Sequence, residues 1–268
     1  MNYIKTLAQA LCAALFLLVF MSSTTNVADN AGGKREFYEI KIYRINGKEQ
    51  EMRVDQFLEK AYIPALHRAG IKKVGVYKPI EKDTAAGKRI YVFIPLRKLE
   101  LLNTLPATLD KDAQFQTDGA DYLKTPWDKP AYVRMESIVL QAFKDMPMMA
   151  MPQLSGATAD RVYELRSYEG GSEQLYQKKV HMFNEGQEIS IFTRLGFNHI
   201  FYGEVLAGRQ MPNLMYMTSF DNIESRDAHW KSFGADPFWK KISALPEYQH
   251  TVSKSHIYLL HPTAYSEI

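Results

Sequence analysis

Two stretches of this chain alternate apolar and polar residues with the same rhythm. Phe37-Tyr38-Glu39-Ile40-Lys41-Ile42-Tyr43 is matched by Val162-Tyr163-Glu164-Leu165-Arg166-Ser167-Tyr168, 125 residues further on. A period of two belongs to a strand with two unlike faces. A helical stripe follows each strand. Val54, Phe57, Leu58, Ala61, Tyr62, Ala65 and Leu66 recur at spacings of three and four. Pro64 is expected to kink this helix and Gly70 to end it. In the second copy Ser172 stands at an N-cap position behind Gly170-Gly171. Leu175, Met182, Phe183, Gly186 and Ile189 then give a looser stripe, closed by Gly196. Each helix leads to a predicted hairpin, 73–80 with 89–96 in the first copy and 197–206 with 214–220 in the second. Second helical stretches cover 96–109 and 223–245, and Asp236-Pro237 should break the latter and restart a helix. Final strands are predicted at 132–143 and 255–260.

The order is β-α-β-β-α-β, written twice, which is an α+β chain of two tandem ferredoxin-like repeats. The first repeat covers 35–144 and the second 161–268, with a linker rich in Met, Pro, Gly and Ala at 145–160. One such unit covers a single sheet face with its helices and leaves the other open. Packing the two open faces together predicts a pseudo-dimeric α+β barrel. Parity on the opening strands separates Tyr38, Ile40, Ile42, Tyr163 and Leu165 from Glu39, Lys41, Tyr43, Glu164, Arg166 and Tyr168. We expect the apolar set to meet the helices and the acid–base–tyrosine rows to look into the space between the sheets. Charges there must be paired or hydrated. They would form either an ion-pair network joining the halves or the polar floor of a ligand pocket.

Composition changes this picture little. Of 268 residues 46% are apolar and 24% charged, the range of a folded soluble chain. A net charge of +3 is too weak to mark a dedicated nucleic-acid binder, so no nucleic-acid partner is expected. Residues 1–30 read as a signal peptide: Lys5, an uncharged apolar run from Leu7 to Met21, then Ser22-Ser23-Thr24-Thr25. The apolar part is short for a membrane span, although an uncleaved anchor is the competing reading. The sequence therefore predicts export to a periplasmic or extracellular compartment, with no membrane span after signal removal. The one cysteine, Cys12, lies inside the leader and follows Leu11 rather than a small residue, which argues against lipid attachment. A mature chain without cysteine has no disulfide, catalytic thiol or thiolate metal site.

Val162-Tyr163-Glu164-Leu165-Arg166-Ser167-Tyr168 resembles the opening strand of the NIPSNAP family, and Asp227-Ala228-His229-Trp230-Lys231 with Asp236-Pro237-Phe238-Trp239 resembles its later part. The likeness covers about 161–266. The first copy is diverged: Lys41 stands where the second has Arg166, and its second helix has no His-Trp or Asp-Pro-x-Trp. The resemblance implies a dimeric α+β barrel, related to small monooxygenases and ligand-binding barrels. It also implies a binding role of the kind tied to organelles or vesicles, and it implies no particular reaction.

Beside His229, the residues Trp230, Phe233, Phe238 and Trp239 either pack the helix on its sheet, form an aromatic wall for an apolar or planar ligand, or present an interaction surface. His199 shares parity with Phe197 and Phe201 and is either a structural residue or an acid, base or metal ligand. His181 and Glu185, four apart, have Lys178 and Glu188 on the same arc and read as a solvated helix face. Met146, Met148, Met149 and Met151 are the thioethers a Cu(I) ion would want, or a plain apolar tether. No metal site and no cofactor is predicted, with haem and flavin left open. The first expectation is a non-catalytic binder of a small, partly apolar ligand or a protein partner between the sheets. The ligand-binding candidates are Glu39, Lys41, Tyr43, Glu164, Arg166, Tyr168, His199, His229, Trp230 and Trp239. One alternative is a monooxygenase or isomerase using Glu164, Arg166, Tyr168 and His199. The other is a structural pseudo-dimer, and homo-oligomerisation is open.

Overall fold

The computed structural model describes residues 34–268; the signal-peptide reading of residues 1–30 lies outside them. Eight strands are described: β1 (Phe37–Arg44), β2 (Gly75–Pro79), β3 (Arg89–Leu96), β4 (Arg134–Ala142), β5 (Val162–Glu169), β6 (Asn198–Ala207), β7 (Asn213–Phe220) and β8 (Lys254–Pro262). They close into one barrel in the order β1-β3-β2-β8-β5-β7-β6-β4. Each half of that order, β4-β1-β3-β2 and β8-β5-β7-β6, is an antiparallel ferredoxin-like sheet. The two sheets face each other and join at two seams, β2 to β8 and β4 to β6. This is the predicted pseudo-dimeric α+β barrel.

Helices cover the outside. In the first repeat α1 (Lys48–Phe57) runs through a π-turn at Leu58–Tyr62 into α2 (Ile63–Arg68). The widened turn is how the helix admits Pro64, which has no N–H and crowds the preceding turn. Gly70, at φ 93°, ends it as expected. Then come α3 (Leu101–Asp110), α4 (Ala113–Asp118) and α5 (Ala120–Leu123). The second repeat has α6 (Glu173–Phe183), α7 (Glu188–Arg194), α8 (Ile223–Ala235) and α9 (Pro237–Ser243). The looser stripe predicted across 175–189 is two helices, separated where Gln187 takes φ 64°. Asp236 breaks α8 from α9 as predicted, its carboxylate accepting from the Trp239 backbone N–H at 2.9 Å.

The facing of the strands is the reverse of the sequence expectation. Tyr38, Ile40, Tyr163 and Leu165 lie inside the barrel with Phe93, Phe201 and Met217. Their polar neighbours Glu39, Lys41, Glu164 and Arg166 point outward under the helices. Tyr43 belongs to the helix-side core of the first repeat, and Tyr168 packs against that of the second. Burial explains the choice. The inside of a closed barrel is sealed from water by both sheets, so it takes the apolar set. A helix layer can bring counter-charges to the other face. The centre of the inter-sheet space is thus packed with side chains, and the space left between the sheets is a cleft of about 230 Å³ at one end, bordered by Ile42, Tyr91, Met215 and Tyr258 rather than by the predicted acid–base–tyrosine rows. The other end is closed by Ile268, 5% exposed, together with Leu154 and Met149 of the linker.

The linker is fastened to the barrel. Ala150 N–H donates to the Ile200 carbonyl at 3.0 Å and Glu36 N–H to that of Pro147 at 2.8 Å. Met146 packs beside the second-repeat helices and Met149 against the barrel interior, while Met148 and Met151 are exposed. The four thioethers do not converge on one ion. No helix among the described residues is long and apolar enough to cross a membrane.

Candidate functional site

The outward rows of β1 and β5 each border a cavity that is open to solvent between the sheet and its helices. In the second repeat this cavity measures about 450 Å³ and is lined by Arg166 and Tyr168 from β5 and Tyr216 from β7. On the helix side are Lys179 of α6, Glu188 of α7, Trp230 and Phe233 of α8 and Trp239 of α9.

Glu164 organises the charged wall. It is completely buried. One carboxylate oxygen accepts from Arg166 Nε at 2.5 Å, and the other from Arg226 Nε at 2.7 Å and Trp230 Nε1 at 2.8 Å. A buried carboxylate is tolerated only when its lone pairs are met this way. Arg166 then reaches Tyr168, donating from Nη1 to the hydroxyl at 2.9 Å, and that hydroxyl is 3.0 Å from the Tyr216 hydroxyl. Its guanidinium lies 3.6 Å over the Trp230 ring. Burial works against the Arg166 charge, but Tyr216, Tyr168 and Glu164 more than offset it and hold the group above its ordinary range. Burial also pushes the Tyr216 hydroxyl well above its ordinary range.

A second buried pair closes the opposite wall. Lys179 donates to Glu188 at 2.7 Å, and the Lys179 ammonium lies 4.6 Å from the Phe183 ring centre and 5.6 Å from that of Trp239. Burial raises the Glu188 carboxyl, and Lys179 pulls it back. The sequence reading put Glu188 on a solvated arc with His181 and Glu185. That is corrected for Glu188, which is 3% exposed because the break after α6 turns α7 onto the sheet. His181 bonds the Tyr248 hydroxyl at 2.9 Å and Glu185 faces Lys144 at 3.3 Å.

The remaining candidates separate into three places. Glu39 and Lys41 line the first-repeat cavity of about 270 Å³. Lys41 is 3.5 Å from Glu39, and Tyr43 stacks edgewise on Tyr122 and Tyr132 outside that cavity. His229 is held by the Ser225 carbonyl at 2.7 Å and by the edges of Phe197 and Phe220, and lies off the second-repeat cavity. His199 was expected to share a face with Phe197 and Phe201. A β-bulge at Ile200 breaks that parity, so Phe201 enters the barrel while Phe197 stays under the helices. His199 bonds Tyr202 through Nδ1 at 2.8 Å and Thr193 through Nε2 at 3.0 Å. Burial lowers its pKa to about 4.

Glu164, Arg166, Tyr168, Trp230 and Trp239 are therefore brought together, and Arg226, Lys179, Glu188 and Tyr216 join them unforeseen. Arg226 was findable, because it stands four residues before Trp230 on one helix face. No group of three or more His, Cys, Asp or Glu side chains able to hold a metal occurs among the described residues.

Residues 163–267 match the NIPSNAP family model and form a NIPSNAP domain. No protein of curated function matches the sequence. Among solved structures, a candidate monooxygenase from Lactobacillus acidophilus has 13% identity and a TM-score of 0.56, covering 85% of this chain and 94% of its own. An anthrone oxidase-like protein has 10% identity and a TM-score of 0.53, covering 86% and 92%. A NIPSNAP family protein from Agrobacterium tumefaciens has 19% identity and a TM-score of 0.36, covering 44% of this chain and 98% of its own. The first two share the barrel across nearly the whole described chain; at such identity the likeness is one of fold.

Proposed function

We propose that this chain, with its NIPSNAP domain at 163–267, is a non-catalytic binding protein that holds a flat, partly apolar small molecule in the second-repeat cavity. The observation that carries this is the Arg166–Trp230 stack at 3.6 Å on the wall of a space of about 450 Å³. Trp239, Phe233 and Tyr168 supply aromatic surface, and the guanidinium fixes one polar end of the guest. The geometry favours holding over reacting. Glu164 has both oxygens occupied, Lys179 and Glu188 neutralise each other, and His199 does not line the cavity. The monooxygenase or isomerase reading is left with Tyr168 as its proton carrier.

Titration with anthrone, haem and flavin in a Trp127→Phe background, followed by the fluorescence of the two remaining tryptophans, Trp230 and Trp239, tests the proposal. Saturable quenching by at least one of them, weakened about tenfold or more in Arg166→Met, supports it. Unchanged fluorescence with all three counts against it. Oxygen consumption with anthrone would favour the enzyme instead. The basic–apolar–polar start of the chain supports export of this binder, and fractionation of expressing cells tests that part separately.

A further inference from the structure

At the end of the barrel away from Ile268 the inward positions change from apolar to charged. Arg44 of β1 stands opposite Arg89 of β3 on one side and Arg134 of β4 on the other. Like charges in register across a sheet destabilise it unless something answers them. Arg209, from the β6–β7 turn, adds a fourth guanidinium. The answer among the described residues is incomplete. Glu136 accepts from Arg44 at 2.5 Å and from Arg209 at 2.7 Å through the same oxygen. Among the described residues the Arg89 side chain finds only the Tyr91 hydroxyl, at 3.4 Å. The nearby polar groups satisfy one another: His256 bonds Glu169 at 2.7 Å, and Ser167 bonds Asn213 at 2.8 Å. Arg44, Arg89, Arg209 and Glu136 rim a cleft of about 230 Å³ whose floor is Ile42, Ile138, Met215, Tyr91 and Tyr258.

We propose that this barrel mouth is a second, independent binding site for a small carboxylate with an apolar body. The forked guanidiniums suit a carboxylate, which Arg89 and Arg44 can clamp bidentately. The apolar floor takes the rest of the molecule, and the volume limits it to roughly one ring or a short chain. The excess of Arg44, Arg89 and Arg209 over Glu136 at the cleft then has its counter-ion.

The probe is benzoate, with benzamide as its uncharged counterpart and inorganic phosphate as an anion without an apolar body. The readout is the methyl NMR signal of Met215, which sits on the floor of this cleft and not in the Trp230 cavity. Benzoate should shift it saturably, with benzamide and phosphate each at least about tenfold weaker. Arg89→Met and, separately, Arg209→Met on the exposed turn should each weaken benzoate about tenfold, and Arg89→Lys should restore part of the loss. Arg166→Met should leave this signal's response unchanged, so the outcome does not depend on the cavity under α8. No saturable shift, equal binding of benzamide, equal binding of phosphate, or indifference to both arginine variants would each overturn the proposal.

Discussion

The Arg166 guanidinium carbon lies 3.6 Å over the centre of the Trp230 ring, and both side chains are tied to the same buried carboxylate, Glu164. The three act as one unit. Glu164 orients the arginine from β5 and the indole from α8, so it joins the sheet to its helix layer while shaping the cavity wall. Glu164→Gln keeps the shape and removes the charge, leaving Arg166 without its paired carboxylate and Arg226 with Asp227 alone. Breaking a buried pair this way should cost about 3–5 kcal/mol, read as a lower urea midpoint with unchanged m-value. Arg166→Lys should be milder for stability and still lose the stacked geometry, since an ammonium has no flat face. A Glu164→Gln protein as stable as the parent would show that the carboxylate is not the anchor described.

Lys179 and Glu188 make a different prediction. Both are almost fully buried and each is the other's main charged partner, so removing one strands the other. Lys179→Met alone and Glu188→Leu alone should each destabilise by about 3–5 kcal/mol, whereas the double variant combining these two substitutions should cost less than the two added together. Denaturant titration of the four proteins closes the cycle. Strict additivity would mean that the pair is not coupled.

The first-repeat cavity offers an internal control. Lys41 replaces Arg166 there, no indole stands over it, and its nearest ring is Tyr62 at 5.5 Å. Lys41→Met should leave the affinity for any ligand of the second-repeat cavity unchanged, measured by the same tryptophan quenching. A loss comparable to that of Arg166→Met would place the ligand in the wrong half.

The element order was legible because each repeat keeps its periods: two in Tyr38–Ile40–Ile42 and Tyr163–Leu165, three and four in Val54–Phe57–Leu58–Ala61. Which face turned inward was not. The outer face of β5 is nearly as buried as the inner, and every residue of β7 is buried, so burial itself leaves no polar edge to read. A row of Glu164, Arg166 and Tyr168 is compatible with either side until its partners are known. Those partners, Arg226, Lys179 and Glu188, come from helices whose polar positions read as solvated. The bulge at Ile200 left one trace, the adjacent apolar pair Ile200-Phe201 in a strand that should alternate.

That bulge sets the last prediction. It delivers His199 to Tyr202 and Thr193, where burial lowers its pKa from 6.5 to about 4. The folded chain thus holds His199 neutral at pH values where the unfolded chain would protonate it. The unfolded state binds more protons between those two pKa values, so stability is complete above about pH 6.5 and falls as pH drops, the loss ending near pH 4. The full shift is worth up to about 3 kcal/mol, and solvent at the partly exposed ring reduces it. Glu188, with its raised pKa, acts in the opposite sense on acidification, but it is present in parent and variant alike. The difference between parent and His199→Gln therefore isolates the histidine. Urea midpoints measured from pH 7 to pH 4 should converge or cross on acidification, the parent losing more than the variant. Parallel curves would mean that His199 titrates normally in the folded chain.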